Sequence, residues 1–260
     1  MAVWNFEPQM RNVGVFPDIL ALGDSWFWYP ENNLLNPIDK LCAGTNTLCL
    51  GANGAESVQL AAHRYREYFR AYLKTFDTIK VVLLSAGGND FAGLDDFADL
   101  LNQDCSQCQN PADCFRQAEP GNLFDAVIKS YRTLIADVVE LRPDAKVLVH
   151  SYDYAIPDGR SFHGISGQWL KIPMNNCHVP MPGDLSTDSF RRQLVKLLID
   201  DMTTHLSALE KDNPGRVIRV NTPGTLTDDQ WSNELHPTFG GFAKLAATRF
   251  APLIKPLLLV

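Results

Sequence analysis

The sequence predicts an α/β fold, a three-layer α/β/α sandwich built on about five parallel strands. Short apolar runs recur along the chain, and amphipathic helical patterns fall between them. Strands that alternate with helices pack as a sheet covered on both faces. A chain of 260 residues can bury about three quarters of the surface that it exposes when unfolded, so a full core is available.

The predicted strands are short and almost continuously apolar. Ile79–Leu84 and Lys146–Val149 are typical examples. Continuous apolar runs indicate strands that are buried on both faces, as in a parallel sheet. The five predicted strands cover residues 17–23, 46–51, 78–86, 145–151 and 215–221.

Apolar residues spaced three or four apart predict the helices between these strands. Proline ends one of these patterns at Pro143, because it cannot continue a helix. The predicted helices lie near residues 34–43, 58–73, 124–138, 190–209 and 242–250.

We expect one domain over residues 1–260, with two inserted loops. The stretches 91–121 and 152–185 interrupt the alternation, and each begins just after a predicted strand. Long loops in a compact domain are usually functional. We therefore expect these two insertions to form the walls over a site.

Composition excludes several classes of partner. The chain has 23 Lys and Arg against 30 Asp and Glu, a net charge of -7, which argues against binding nucleic acid or an anionic membrane. No apolar run is long enough to predict a membrane span. Residues 1–8 lack the basic and apolar regions of a signal peptide. The expected location is cytoplasmic, or secreted or periplasmic if the cysteines form disulfides.

The cysteines allow three interpretations. Cys105, Cys108 and Cys114 fall within ten residues, and they could be zinc ligands, a disulfide with a spare thiol, or free thiols. A fourth zinc ligand would come from Cys177 or His178. The paired two-plus-two spacing of zinc sites is missing. We therefore predict no metal and favour a disulfide within this cluster, with a second one between Cys42 and Cys49.

Four polar or glycine positions are predicted to meet at one edge of the sheet. Ser25 follows the first predicted strand, and ligands bind beyond the carboxyl ends of parallel strands. Gly54 and Asn89 follow the next two strands and offer N–H donors at the same edge. His236 precedes a proline, which favours an extended or turn conformation that can project its ring.

Each of these residues also has an ordinary structural interpretation. Ser25 and Gly54 could be turn residues, Asn89 a turn or helix cap, and His236 a structural histidine. His150 ends the fourth predicted strand and could line a pocket. The remaining histidines are expected in solvated loops or in helices, at His63, His163, His178 and His205. No glycine-rich phosphate-binding motif is present.

Taken in order, four segments resemble the SGNH, or GDSL-type, hydrolases. They are Gly23-Asp24-Ser25, Gly54, Gly87-Gly88-Asn89-Asp90 and His236-Pro237. The resemblance covers residues 18–250 and implies a flavodoxin-like α/β/α fold that hydrolyses acyl or acetyl esters. It also implies that Ser25 is the nucleophile and His236 its general base. The N–H groups of Ser25 and Gly54, with the Asn89 amide, would form the oxyanion hole.

Two positions depart from the family pattern. Trp26 stands where the family has leucine, and Asn233 stands where the family has an aspartate three residues before the histidine. We favour a dyad in which Asn233 orients the His236 ring. Alternatively, the asparagine disables the enzyme, or a shifted carboxylate replaces it. The candidate carboxylates are Asp228, Asp229 and Glu234.

The predicted function is hydrolysis of a small-molecule ester without metal or cofactor. One alternative is a carbohydrate acetylesterase, in which aromatic residues of the second insertion stack on a sugar. Another is a degenerate member that binds a ligand without catalysis, as Asn233 suggests. The predicted substrate-binding residues are Trp26, His150, Tyr152 and Trp169. No oligomeric state is predicted.

Overall fold

The five predicted strands are all present in a six-stranded parallel sheet. The computed structural model describes residues 2–5, 7–29, 32–161, 167–181 and 189–259. Within them the strand order is β1-β3-β2-β4-β5-β6, and every pairing is parallel. The strands are β1 Ala2–Trp4, β2 Ile19–Gly23, β3 Asn46–Gly51, β4 Val81–Ser85, β5 Lys146–His150 and β6 Val217–Val220.

The central strand β2 shows why a continuous apolar run predicts a strand of a parallel sheet. All five of its residues are buried, and it pairs with β3 on one side and β4 on the other. The edge strand β1 was not predicted from the sequence. It has only three residues, too few to show a periodic pattern.

Helices cover both faces of the sheet, so the three-layer α/β/α prediction is confirmed. The helices are α1 Glu7–Asn12, α2 Ser25–Trp28, α3 Leu35–Leu41, α4 Ser57–Leu60, α5 His63–Thr75, α6 Gly88–Phe91, α7 Leu94–Leu100, α8 Glu119–Leu141, α9 Lys171–Asn176, α10 Phe190–Asp212, α11 Phe239–Leu245 and α12 Ala251–Leu258. Short 3₁₀ turns cover Pro111–Cys114 and Asp228–Gln230, and a π-helical turn covers Ala246–Phe250. Helix α8 packs against α5 and α10, whereas α3 and α12 pack against the π-helical turn.

Several elements differ from the sequence-based expectation. The pattern over 58–73 forms two helices, α4 and α5, because the chain turns at His63, which has φ +43°. The first insertion, 91–121, contains helix α7 and a 3₁₀ turn and is not simply a loop. The second, 152–185, contains α9. Two segments lie outside the described residues: residues 162–166, which include His163, and residues 182–188.

All six cysteines are free thiols in the structure. The two disulfides that the spacing favoured, one within 91–121 and one between Cys42 and Cys49, are therefore absent. Cys49 is fully buried in β3, and its thiol lies 3.9 Å from the Phe27 carbonyl.

Among the described residues, no helix is long and apolar enough to cross a membrane.

Two glycines let the ends of β2, β3 and β4 approach closely. A Cβ atom on Gly23 would lie 2.8 Å from the Ser85 Cβ atom. Gly51 has φ +150°, and a Cβ atom there would lie 1.8 Å from the Gly23 carbonyl oxygen. Only glycine fits such contacts. The loops that follow these three strands consequently leave the sheet side by side.

Candidate active site

Ser25 lies in the first turn of α2, directly beyond the end of β2. Asp24 caps this helix, because its carboxylate accepts the N–H of Trp26 at 3.0 Å. The N–H of Ser25 has no partner inside the helix, as in the first turn of any helix. The largely buried Ser25 hydroxyl is thereby held at the carboxyl edge of the sheet.

His236 meets Ser25 from near the other end of the chain. Its Nε2 atom lies 2.8 Å from Ser25 Oγ. A tight loop carries the histidine, closed by a 2.8 Å hydrogen bond from the N–H of Ser232 to the His236 carbonyl. The Trp26 indole N–H donates to the Leu235 carbonyl at 3.0 Å and ties this loop to α2. Two residues 211 positions apart are thus held within hydrogen-bonding distance.

Asn233 contacts the other nitrogen of the ring. Its Oδ1 atom lies 3.0 Å from His236 Nδ1 and also accepts the backbone N–H groups of Leu235 at 3.0 Å and His236 at 2.9 Å. Backbone N–H groups can only donate, so the atom that faces them is the oxygen. The ring therefore donates from Nδ1 and leaves Nε2 free to accept the Ser25 proton.

The remaining amide nitrogen, Asn233 Nδ2, is buried and has no hydrogen-bond partner among the described residues. An unpaired buried donor costs about 1–3 kcal/mol. A carboxylate at position 233 would place an acceptor in this location. The loop thus provides hydrogen-bond partners for the Asn233 oxygen that faces the ring, but none for the amide nitrogen.

The alternative carboxylates lie elsewhere. Asp228 forms a 2.6 Å ion pair with Arg192, and Asp229 accepts the Thr227 hydroxyl at 2.7 Å. Glu234 accepts three backbone N–H groups of the second insertion. The structure therefore gives no support to a shifted carboxylate as the partner of the imidazole.

Burial shifts the acid–base properties of the site in opposite directions. It lowers the pKa of His236 to about 4, because the charged ring would lose its hydration. It raises the pKa of Asp24 to about 6, although hydrogen bonds from Tyr152, the Trp26 N–H and Ser85 partly oppose this. His236 is consequently neutral at neutral pH, as a general base must be.

The other two predicted oxyanion donors lie in neighbouring segments, Gly54 in the turn after β3 and Asn89 in α6. Asn89 Nδ2 donates to the Ala55 carbonyl at 3.1 Å, and the Asp90 carboxylate accepts the Ser57 N–H at 2.9 Å, so hydrogen bonds join the two segments. Asn89 lines a pocket together with Ser25. Gly54, with φ +74°, is exposed and is not among the residues that line this pocket.

The pocket beside Ser25 is predominantly apolar. Its cavity volume is only about 40 Å³, and the pocket opens to solvent. Its apolar wall comes from both insertions, from α10 and from the loop before His236. The apolar residues of the wall are Phe91, Ala92, Ala155, Ile199, Trp231 and Leu235. Sequence analysis did not identify the last three, because no local pattern marks which face of a helix or loop turns toward a distant serine.

The predicted substrate-binding residues fall into two groups. Trp26 and Tyr152 line the pocket, and Trp169 lies with its edge toward the His236 ring, 6.0 Å between centroids. His150 differs from the expectation. It is fully buried, stacked against Trp26 at 5.4 Å, so it supports the pocket wall from behind and does not line it.

Comparison with known proteins gives structural similarity only. No protein-family model matches the sequence, and no curated protein matches it. Solved structures do match. They include a lipase from a goat rumen metagenome (TM-score 0.56, 12% identity, covering 89% of this chain and 94% of that one). A carbohydrate acetylesterase from Sinorhizobium meliloti also matches (TM-score 0.53, 13% identity, covering 93% of this chain and 99% of that one).

A third match is an extracellular lipase from Streptomyces rimosus (TM-score 0.52, 17% identity, 94% of this chain and 98% of that one). Identities this low establish the fold and carry no residue assignments. The matched chains are covered almost completely, so the similarity extends over the whole architecture and not only over the sheet. The chain has the fold of the SGNH, or GDSL-type, hydrolases.

Proposed function

We propose that the protein is a carboxylic ester hydrolase that acts through an acyl-enzyme on Ser25. The observation that carries the proposal is the 2.8 Å distance between Ser25 Oγ and His236 Nε2, beside an apolar pocket. A serine hydroxyl becomes a useful nucleophile when an adjacent base accepts its proton. The neutral, oriented imidazole of His236 supports that role.

In the proposed reaction, Ser25 Oγ attacks the ester carbonyl carbon while its proton moves to His236 Nε2. The tetrahedral intermediate collapses, the bond to the alcohol breaks, and His236 returns the proton to the leaving oxygen. Water then attacks the acyl-enzyme by the same route and releases the carboxylic acid. Asn233 keeps the imidazole in the required tautomer throughout.

The negative charge that develops on the former carbonyl oxygen needs hydrogen-bond donors to stabilise it. The N–H of Ser25, unpaired within its helix, and the second N–H of the Asn89 amide are proposed to supply them. Gly54 stays a predicted third donor; it lies in the turn that Asn89 holds at the Ala55 carbonyl but does not line the pocket, so the proposal does not depend on it. Each donor of this kind is typically worth about 100- to 1000-fold in rate.

The pocket favours a short, apolar acyl group. Its cavity volume of about 40 Å³ is far below that of pockets for drug-sized ligands, about 300–1,000 Å³, and its wall is mostly aromatic and aliphatic. A short acyl chain would bury apolar surface there, at about 25 cal/mol per Å². A long chain would extend beyond the cavity into solvent.

A carbohydrate acetylesterase is the second candidate. Trp169 supports it, because an aromatic ring next to the His236 ring is suitably placed to stack on a sugar. One structural neighbour is described as a carbohydrate acetylesterase. The two candidates share the serine chemistry and differ in which side of the ester the protein recognises.

Replacement of the nucleophile tests the chemistry. We expect Ser25→Ala to abolish ester hydrolysis and labelling by a fluorophosphonate probe, with an unchanged melting temperature. The control is Ser207→Ala, whose hydroxyl bonds only its own helix at the Thr203 carbonyl. Turnover by Ser25→Ala near the wild-type rate would refute the proposal. A wild-type protein that neither hydrolyses esters nor reacts with the probe would indicate a binding protein.

A panel of p-nitrophenyl esters tests the acyl group. We expect kcat/KM to be highest for short acyl chains and to fall as the chain lengthens, because the cavity is small. Ala155→Phe should fill part of the pocket and move the optimum toward acetate, whereas Ala247→Phe, at an exposed position, should not. Preference for acetylated sugars over every simple ester would favour the second candidate.

A further inference from the structure

Three thiols converge in the first insertion, away from the pocket. The Sγ atoms of Cys105, Cys108 and Cys114 all lie within 4.8 Å of one another. Cys105 and Cys114 are fully buried, and Cys108 is half-buried. None of them is in a disulfide, and the ester-hydrolysis proposal uses none of them.

Backbone hydrogen bonds hold this loop in shape independently of the thiols. The N–H of Asn102 donates to the Cys114 carbonyl at 2.8 Å, and the N–H of Cys108 donates to the Cys105 carbonyl at 3.0 Å. The second bond closes a turn across the Cys-x-x-Cys segment, so both of its side chains leave the same turn. The third cysteine ends the 3₁₀ turn Pro111–Cys114. These backbone hydrogen bonds therefore hold the three thiols close together without a bond between the thiols themselves.

The geometry suits a metal ion better than a disulfide. A tetrahedral zinc ion with Zn–S bonds of about 2.3 Å holds its sulfurs about 3.8 Å apart. Three sulfurs within 4.8 Å reach that spacing through small side-chain rotations. A disulfide would use only two of the three sulfurs, at about 2.0 Å, and would leave a third thiol packed against it.

A fourth thiol lies next to the group. The Cys177 carbonyl accepts the N–H of Cys105 at 2.8 Å, which brings the two insertions together, and Cys177 is also buried. Its Sγ atom is outside the 4.8 Å group. Structural zinc sites are closed by four ligands, and the backbone bond to Cys105 makes Cys177 the candidate for the fourth.

We propose that Cys105, Cys108 and Cys114 bind one thiophilic divalent cation of the zinc type, which cross-links the 105–114 loop of the first insertion. Each thiol that binds the cation releases its proton. Because the cluster does not line the pocket, the cation is structural and takes no part in ester chemistry. The proposal therefore stands whether or not Ser25 is a nucleophile. It revises the disulfide that cysteine spacing alone favoured.

Cobalt(II) titration of the full chain, reduced and freed of metal, tests the site. We expect thiolate-to-cobalt charge-transfer absorption that saturates at one ion per chain and disappears when zinc(II) is added. Cys108→Ser replaces the most accessible thiol and should weaken binding by more than about 10-fold, since even outer-shell changes cost 10- to 100-fold. Cys42→Ser, a buried thiol outside the cluster, should bind normally.

Thermal unfolding provides a second readout. Zinc should raise the melting temperature of the wild type and of Cys42→Ser, but not that of Cys108→Ser, whose circular dichroism should otherwise match the wild type. Saturation without thiolate absorption would overturn the proposal. So would equal affinity in Cys108→Ser. An intact mass two hydrogens below the reduced value, with no metal uptake after reduction, would show that the cluster is a disulfide.

Discussion

At the scale of single residues, the site depends on one amide. The Asn233 oxygen orients His236, but an amide supplies no charge to stabilise the imidazolium that forms during proton transfer. Burial lowers the pKa of His236 to about 4, and none of the carboxylates that the structure describes is given a contact with the ring that would oppose this shift. A base with a low pKa remains neutral, and therefore competent, in mildly acidic solution, although it attracts the serine proton less strongly.

Asn233→Asp tests this account. The added carboxylate should raise the pKa of His236, because an opposite charge favours the charged ring. The acidic limb of the kcat/KM profile should then move to higher pH, and turnover at neutral pH should be unchanged or higher. Asn122→Asp, at an exposed helix position, is the control. Superimposable profiles for wild type and Asn233→Asp would contradict the dyad, and activity found only in Asn233→Asp would show that the natural asparagine disables the enzyme.

At the scale of elements, Glu234 fastens the second insertion to the histidine loop. Its carboxylate accepts the N–H groups of Gly159 at 2.9 Å, Leu170 at 2.8 Å and Lys171 at 3.1 Å. Burial raises its pKa to about 7, and these three bonds act in the opposite direction. Because Glu234 is only two residues from His236, it couples the position of the insertion to that of the base.

We expect Glu234→Ala to lower the free energy of unfolding by about 3 kcal/mol, since buried donors lose a charged acceptor. The kcat should fall as well, because the histidine loop loses its support. Glu234→Gln should lie between Glu234→Ala and wild type, because its amide oxygen can still accept from Gly159 and Lys171 while its nitrogen cannot accept from Leu170. Urea unfolding measures the first effect, with exposed Glu67→Ala as control. Equal stability of Glu234→Ala and wild type would contradict the anchoring role.

At the scale of the whole molecule, buried ionisable groups make stability depend on pH. Burial lowers the pKa of His150 to about 3. The unfolded chain protonates this ring near pH 6.5 and the folded protein does not, so the contribution of His150 to stability is present above about pH 6.5 and is lost as the pH falls. Asp24 and Glu234 have raised pKa values and act in the opposite sense.

Comparing the stability of wild type with that of His150→Gln isolates the contribution of His150 to the pH dependence. Between pH 6.5 and 4, the stability advantage of wild type over His150→Gln should shrink by about 3 kcal/mol, at 1.36 kcal/mol per pKa unit. The acidic groups cancel in this difference because both proteins contain them. Urea unfolding at several pH values measures the change. Exposed Asn122→Gln, which changes no ionisable group, should show a constant difference from wild type, and the same constancy in His150→Gln would refute the prediction.

The layer architecture and the positions of the central strands follow from the sequence alone. Apolar runs such as Ile19–Leu22 and Val81–Leu84 report burial on both faces, and burial of a short segment is a local property of its composition. The motif order also indicated which strand ends carry polar residues. It did so for Ser25 after β2 and Asn89 after β4, because the carboxyl ends of parallel strands share one edge, whereas His236 reaches this edge from a loop well beyond β6.

Contacts between residues that are distant in the chain are set by packing and are visible only in the folded structure. The orientation of the Asn233 amide depends on two N–H groups that a folded loop brings to its oxygen. His150 lies behind Trp26 because the rings of Trp26, Phe27 and Tyr152 pack around it, which no periodicity encodes. The three thiols of the first insertion converge because the backbone is fastened around them. Such contacts follow from packing in three dimensions, whereas a sequence pattern records only which residues avoid water.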